Sequence, residues 1–160
     1  MWKHAKAIPE GYHTVTPSLI VEDVAVAIDF YVKAFGAREV SRFNGPDDRI
    51  IHAEIEIGDA KIMLGPSCAE SRCLAPSQLS GTSCCLYLYL PDVDAAFQRA
   101  VGAGARSTMA VEDTFWGDRA GQVADPFGHC WFLATHQEDL TDEQMRERAE
   151  EFFASHAGAH

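Results

Sequence analysis

His52 and Glu54 are the two side chains of this sequence most suited by type and spacing to bind a metal. They stand two residues apart in the alternating stretch IIHAEIEI, so a strand would project both from one face. An imidazole and a carboxylate at this spacing could ligate a divalent metal. They could equally anchor the polar part of an organic ligand or lie solvated at an open rim, and the residues alone leave these alternatives open.

The alternation also predicts which other residues share that face. The apolar set is predicted to pack against a helix and comprises Ile51, Ala53, Ile55 and Ile57. His52 and Glu54 then line the opposite, hollow side. By the same rule the hollow also receives Thr16, Ser18, Glu56, Lys61, Met63, Cys85, Tyr87, Tyr89, Cys130 and Phe132. Rings and sulfur beside a few polar groups suit an organic ligand held by stacking.

The stretch WGDRAGQV contains three further candidates, Trp116, Asp118 and Arg119. A ligand role is one interpretation. The other is that Asp118 and Arg119 form a local ion pair while Trp116 packs. We include Trp116 among the predicted cleft residues.

The five cysteines indicate reduced thiols, since their number is odd and the N-terminus lacks the apolar core of a secretory signal. Cys84 and Cys85 are adjacent, so on a strand their side chains would point to opposite faces and could not both coordinate one atom. The sequence contains no glycine-rich phosphate loop and no GxSxG nucleophile elbow.

Composition limits the class of protein. A formal net charge of −11 argues against nucleic-acid binding, which needs concentrated Lys and Arg. No apolar run approaches the roughly 18 residues of a membrane span. We therefore expect a cytoplasmic globular protein with neither nucleic acid nor membrane as a partner.

The helices and strands that would position these residues form a pattern that occurs twice along the chain. Helices begin at Asp23-Val24 and again at Asp92-Val93, 69 residues apart, each with an aspartate placed to cap the first turn. Each helix follows an alternating strand and precedes further strands joined at Gly58 and at Gly128. The fold class is therefore α+β, with two tandem β-α-β-β-β modules around a cup-shaped cleft.

The predicted organisation is one domain over residues 1–140, followed by a helix. The two repeats cover about 12–66 and 82–138, and a Gly-, Ser- and Pro-rich linker covers 65–83. The sequence TDEQ predicts a capping box that starts a helix over 141–153. Residues 154–160 are expected to fray.

Three stretches carry a resemblance to a known family: IPEGYHTVTPSLIVEDVAVAIDFYVKAFGA at 8–37, HAEIEIGDAKIML at 52–64, and WGDRAGQVADPFGHCWFLATH at 116–136. The sequence resembles the vicinal oxygen chelate superfamily of glyoxalases, bleomycin resistance proteins and extradiol dioxygenases. Within it, the sequence is most similar to PhnB-like proteins. The resemblance implies the fold given above but does not single out an activity, because the superfamily hosts several.

In metal-dependent members the resemblance implies a His or Gln on the first strand and a Glu on the last strand of each module. Those positions fall on Thr16, Met63, Cys85 and Phe132. Two of these side chains are bulky and apolar, and only the thiolate is a strong ligand. We therefore predict a cleft without the usual metal. The alternative is zinc, nickel, iron or manganese held by His52 and Glu54.

We expect a small-molecule-binding protein of the glyoxalase/bleomycin resistance type with no assigned catalytic residue. Its predicted cleft comprises Thr16, His52, Glu54, Met63, Cys85, Tyr87, Trp116 and Phe132. The alternatives are a metal-dependent glyoxalase-like lyase, isomerase or dioxygenase, and a scaffold whose cup is filled by its own side chains. The resemblance also implies a homodimer, which would cover the apolar face of helix 141–153.

Overall fold

The structure is a computed structural model that describes residues 5–156. The first module contains β1 (Ser18–Val21), α1 (Val24–Phe35), β2 (Arg38–Asn44), β3 (Ile50–Ile57) and β4 (Ala60–Pro66). A short helix, α2 (Pro76–Leu79), lies in the connection. The second module contains β5 (Cys85–Tyr89), α3 (Val93–Gly102), β6 (Arg106–Asp113), β7 (Asp118–Ala124) and β8 (Cys130–His136). The last element is α4 (Asp142–His156).

Each module forms one four-stranded mixed sheet, with strand orders β1-β4-β3-β2 and β5-β8-β7-β6. The first and last strands of each module pair in parallel, and the other neighbours are antiparallel. Ser18 pairs with Met63 and Tyr87 with Phe132, so both positions are offset by 69 residues (87 − 18 and 132 − 63). The predicted α+β fold with two β-α-β-β-β modules is confirmed.

The helix starts and the first helix end follow from single residues. The side chain of Asp23 accepts hydrogen bonds from the backbone N–H groups of Ala25 and Val26, and Asp92 caps Ala95 in the same way. Gly36 ends α1 in the left-handed region at φ 69°. These caps determine where α1 and α3 begin and where α1 ends.

Alternation places the core between the helices and the sheets. Ala53, Ile55 and Ile57 are buried as predicted. The expected burial of Ile51 is wrong, because this residue is 55% exposed. It lies at the start of β3, beside a register shift between Phe43 and Asn44 that interrupts the strand pairing.

The two modules are joined by α1, which packs against α3 and contacts the second sheet. Tyr31 of α1 donates its hydroxyl hydrogen to Asp125 Oδ2 over 2.7 Å, and the Trp131 indole N–H donates to the same oxygen over 3.0 Å. His129 Nε2 lies 2.9 Å from the Ile20 carbonyl oxygen and donates to it. Tyr31 and His129 therefore each contribute a hydrogen bond between the two modules.

The C-terminal helix extends three residues beyond its predicted end, to His156, and residues 157–160 lie outside the described part of the chain. The predicted capping box is present, with Gln144 N–H donating to Thr141 Oγ1 and Thr141 N–H donating to Gln144 Oε1. Within residues 5–156 no helix is both long and apolar enough to cross a membrane.

Candidate functional site

On the first sheet, Glu54 is the centre of a small polar cluster. Its Oε2 accepts a short hydrogen bond from the Tyr12 hydroxyl, and its Oε1 lies 3.4 Å from His52 Nε2. The Tyr12 hydrogen bond lowers the pKa of Glu54, with a further contribution from His52. The same bond raises the pKa of Tyr12. Glu54 is therefore held as an anion, with the Tyr12 hydroxyl hydrogen directed at it.

A cavity of about 370 Å³ lies between this cluster and the N-terminal segment. Its walls are Ala7, Ile8, Pro9, Tyr12, His13, Thr14, Thr16, Glu54 and Met63. The ammonium of Lys61 lies 4.7 Å from the centroid of the Tyr12 ring, which supports the segment from the sheet side. The volume lies within the range of small-molecule pockets, and the walls combine apolar groups with a few polar ones.

On the second sheet, three rings form a continuous surface. Tyr87 stacks on Phe132 with centroids 5.2 Å apart and planes 12° apart, and Tyr89 lies 5.0 Å from Tyr87. Tyr87 is 42% exposed and Tyr89 60% exposed. We call Phe132, Tyr87 and Tyr89 the aromatic platform. It offers ring faces on which a planar ligand could stack.

Asp118 lies buried behind the aromatic platform, only 3% exposed. Its Oδ2 accepts hydrogen bonds of 3.2 Å each from the hydroxyls of Tyr87 and Tyr89 and from the Trp116 indole N–H. The expected Asp118–Arg119 ion pair is wrong. Successive strand residues point to opposite faces, and the Arg119 guanidinium instead pairs with Asp94 at 2.7 Å and with Asp113 at 3.1 Å.

His136 completes the cluster at the end of β8. Its Nδ1 lies 2.8 Å from Asp118 Oδ1 and its Nε2 lies 3.0 Å from Asp139 Oδ1. Carboxylates can only accept hydrogen bonds, so both contacts are satisfied at once by the imidazolium form. Accordingly, the hydrogen bonds to Asp139 and Asp118 raise the pKa of His136.

We expect His136→Gln to destabilise the protein in a pH-dependent manner. A raised pKa in the folded state means that the stabilisation is fully present below about pH 6.5, the unfolded value, and is lost as the pH rises through the folded value. The difference in melting temperature between wild type and variant should therefore be larger at pH 5.5 than at pH 8.5. A difference that grows with pH would contradict the imidazolium assignment. His13→Gln, at an exposed position, serves as the control.

Cys85 and Cys130 are register neighbours at the start of β5 and β8. Burial, with a further contribution from Cys85, raises the pKa of Cys130 to about 12. Cys130 is therefore a protonated thiol at neutral pH, and the more exposed Cys85 lies 3.9 Å from the Gln122 side-chain nitrogen. All five cysteines are free. Cys130 is therefore not an activated nucleophile.

The eight predicted cleft residues fall into two groups, one on each sheet. The first-sheet group is Thr16, His52, Glu54 and Met63, and the second-sheet group is Cys85, Tyr87, Trp116 and Phe132. Within residues 5–156 no hydrogen bond or ring contact joins the two groups.

The prediction of cleft residues omitted four members of these clusters. Strand alternation placed Tyr89 on the cleft side, and Asp118 was a candidate in the WGDR stretch. The sequence did not indicate that these two residues contact each other. His136 carried no signal, because its buried partner Asp118 is brought beside it only by the pairing of β7 with β8. Tyr12 lies in an irregular segment where no periodicity applies.

The profile of the Glyoxalase/Bleomycin resistance protein/Dioxygenase superfamily matches residues 12–133, from Tyr12 to the middle of β8. The chain belongs to this superfamily. An uncharacterised protein of Mycobacterium tuberculosis is 44% identical over 135 residues, covering 82% of this chain and 79% of that protein.

Two solved structures share this architecture. TioX from Micromonospora sp. ML1 is 28% identical, covers 78% of this chain and 98% of its own, and has a TM-score of 0.62. FosX of Listeria monocytogenes, solved as a mutant with Mn(II) and a dihydroxypropylphosphonic acid, is 17% identical and covers 86% of this chain and 97% of its own, with a TM-score of 0.61. At that identity the likeness shows the fold alone.

The donor groups at the superfamily's metal positions do not fit an oxygen-preferring divalent ion in this chain. Met63 offers a thioether, Thr16 a hydroxyl, and the Phe132 ring is stacked on Tyr87 where a carboxylate would be needed. Within residues 5–156 no three His, Cys, Asp or Glu side chains are grouped to hold a metal ion. His52 and Glu54 alone supply two ligands, and Glu54 already accepts a hydrogen bond from Tyr12.

Proposed function

We propose that this chain is a small-molecule-binding protein of the glyoxalase/bleomycin resistance type, PhnB-like in its sequence, that binds an organic ligand without a catalytic metal. The observation that carries the proposal is the cavity of about 370 Å³ under the N-terminal segment. Tyr12, Met63 and Pro9 supply its apolar walls and Glu54 a single anchoring charge, an arrangement typical of ligand pockets. The aromatic platform on the other sheet supplies a second stacking surface.

The first experiment asks what the cavity contains. Native mass spectrometry of the purified protein should show a bound organic compound, and Thr16→Trp, which fills the cavity, should remove it. Ser18→Trp is the matched control, since Ser18 is two residues away and is not among the cavity walls. A compound that remains bound in Thr16→Trp but is lost in Ser18→Trp would contradict this placement.

Elemental analysis tests the metal alternative on protein purified without chelator. We expect no stoichiometric zinc, nickel, iron or manganese. Stoichiometric metal that is lost in His52→Ala would instead favour a metal-dependent lyase or isomerase using His52 and Glu54. Phe132→Glu restores a carboxylate at a superfamily ligand position, but it should not create a tight site, because Thr16, Met63 and Cys85 still offer no imidazole.

We expect Tyr87→Ala to weaken the binding of a neutral planar aromatic compound about tenfold. Tyr87 is the middle ring of the aromatic platform, and stacking contributes about 0.5–1.5 kcal/mol beyond the area buried. Titration calorimetry with 2-naphthol measures the effect. Tyr87→Phe keeps the ring and should retain most of the affinity. Equal affinity in wild type and Tyr87→Ala would remove the platform from the proposed site.

We further propose that the chain forms a homodimer. Phe152 and Phe153 of α4 contact Phe115 of their own chain, yet they remain 37% and 62% exposed. A second copy of the chain would cover this surface. Light scattering at micromolar concentration should give twice the chain mass, and a mass near 17.6 kDa would contradict the dimer.

A further inference from the structure

The orientation of two hydroxyl groups determines what the aromatic platform presents to a ligand. Tyr87 and Tyr89 both have their hydroxyl oxygens 3.2 Å from Asp118 Oδ2. A carboxylate cannot donate a hydrogen bond, so each tyrosine must donate its only hydroxyl hydrogen to Asp118. Each hydroxyl oxygen then has only lone pairs left to offer, and as an acceptor it is strengthened by the hydrogen bond to an anion.

The other donor groups near Asp118 are also occupied. The Trp116 indole N–H donates to Asp118 Oδ2, and both ring nitrogens of His136 lie against Asp118 and Asp139. The nearest arginine along β7, Arg119, is held by Asp94 and Asp113. The platform therefore offers a ligand ring faces and oxygen lone pairs, and these groups offer it no hydrogen-bond donor.

The cluster of Asp118, His136 and Asp139 behind the platform carries a net negative charge. The single cation, the His136 imidazolium, is flanked by two carboxylates, so the cluster keeps a net negative charge whether or not the imidazole is protonated. Ring faces are themselves negative, and they attract cations within about 6 Å of the centroid. The chain as a whole carries a formal net charge of −11, which raises the local concentration of cations.

We propose that the aromatic platform is a recognition site for an organic cation, namely a protonated amine carried on an aromatic body. The ammonium group would lie over the Tyr87 and Tyr89 rings, donate N–H hydrogen bonds to their hydroxyl oxygens, and be attracted by Asp118. The attached ring would stack beside Phe132. This inference rests on the proposed ligand-binding function and names the ligand class.

Three probes that share one ring system test the charge preference. They are 2-naphthylmethylammonium, neutral 2-naphthalenemethanol and anionic 2-naphthoate, titrated by calorimetry at pH 7 and constant ionic strength. The ammonium probe should bind wild type about tenfold more tightly than the alcohol, the order expected for a cation placed over ring faces. The carboxylate probe should bind most weakly.

Two variants locate that preference on the platform. Asp118→Asn removes the charge and keeps the shape, so it should reduce the ammonium-to-alcohol affinity ratio to about one. Tyr89→Phe removes one of the two hydroxyls, from a residue that is 60% exposed, and should lower the ratio about threefold even if the buried Asp118 variant fails to fold. Asp59→Asn removes an exposed carboxylate in the β3–β4 turn of the first module, which lines neither the cavity nor the platform, and should leave the ratio unchanged.

The possible outcomes separate this inference from the proposed function. If the alcohol and ammonium probes bind equally, the cation preference is overturned while small-molecule binding stands. If the full preference persists in Tyr89→Phe, cation recognition does not belong to the platform and this assignment is overturned. If none of the probes binds wild type, the platform is not a binding site, whereas a compound bound in the first-sheet cavity would still support the proposed function.

Discussion

Asp125→Ala should lower the free energy of unfolding by about 4 kcal/mol, because it leaves several buried donors without an acceptor. Asp125 is 5% exposed and accepts hydrogen bonds from the Tyr31 hydroxyl and the Trp131 indole N–H. It also accepts from the backbone N–H groups of Phe127 and His129, each over 2.9 Å. One carboxylate therefore holds the β7–β8 turn and ties it to α1 of the other module.

Thermal unfolding measures this effect, with an expected fall in melting temperature of about 12 °C for a chain of this size. Asp59→Ala is the matched control, because Asp59 occupies the corresponding turn of the first module and is exposed. Tyr31→Phe removes only one of the four donors and should destabilise by about 1.5 kcal/mol. Equal losses in Asp125→Ala and Asp59→Ala would show that the buried hydrogen bonds contribute nothing.

Gly117→Ala should destabilise the protein by about 3 kcal/mol, because the site rejects a side chain for two reasons. Gly117 has a φ of +93°, which L residues rarely adopt, and a Cβ placed there would lie 2.5 Å from the backbone oxygen of Glu138. The Gly117 carbonyl also accepts hydrogen bonds from the N–H groups of Gln137 and Glu138. The added methyl group would push the 137–139 segment away, and Asp139 with it.

Gly36→Ala is the control for backbone strain alone. Gly36 has a φ of +69°, and a Cβ added there would meet nothing within 4 Å. We expect a loss of about 1 kcal/mol at Gly36, so the difference between the two variants measures the close approach to Glu138. Denaturant unfolding of both variants gives the comparison. Equal losses at the two positions would mean that the 137–139 segment moves aside without resistance.

The parts of the fold that were predictable from sequence depend on local patterns. The caps at Asp23 and Asp92 and the repeat spacing of 69 residues each follow from a few neighbouring residues, and the structure confirms them. Alternation identified Tyr87 and Phe132 as same-face residues, and they are direct register partners. The prediction for Ile51 was wrong because alternation assumes an uninterrupted strand, and the register shift between β2 and β3 leaves Ile51 unpaired and exposed.

The partners within the site could not be predicted, because they depend on pairing between distant strands. Asp118 contacts residues from β5, from its own turn and from the end of β8, and only the sheet order brings these together. The local pairing of Asp118 with Arg119 was wrong because the two residues point to opposite faces of one strand. The Tyr12–Glu54 contact joins an irregular segment to β3, and the sequence carried no signal for it.

The two halves of the chain repeat the same order of elements but are not interchangeable. With the offset of 69 residues, Tyr31 of α1 corresponds to Ala100 of α3, and both are fully buried. One half thus contributes a large ring at the shared junction, and the other contributes a methyl group. Separately produced fragments of residues 1–80 and 81–160 should therefore reassociate with each other rather than with themselves, since two tyrosines would collide and two alanines would leave a void.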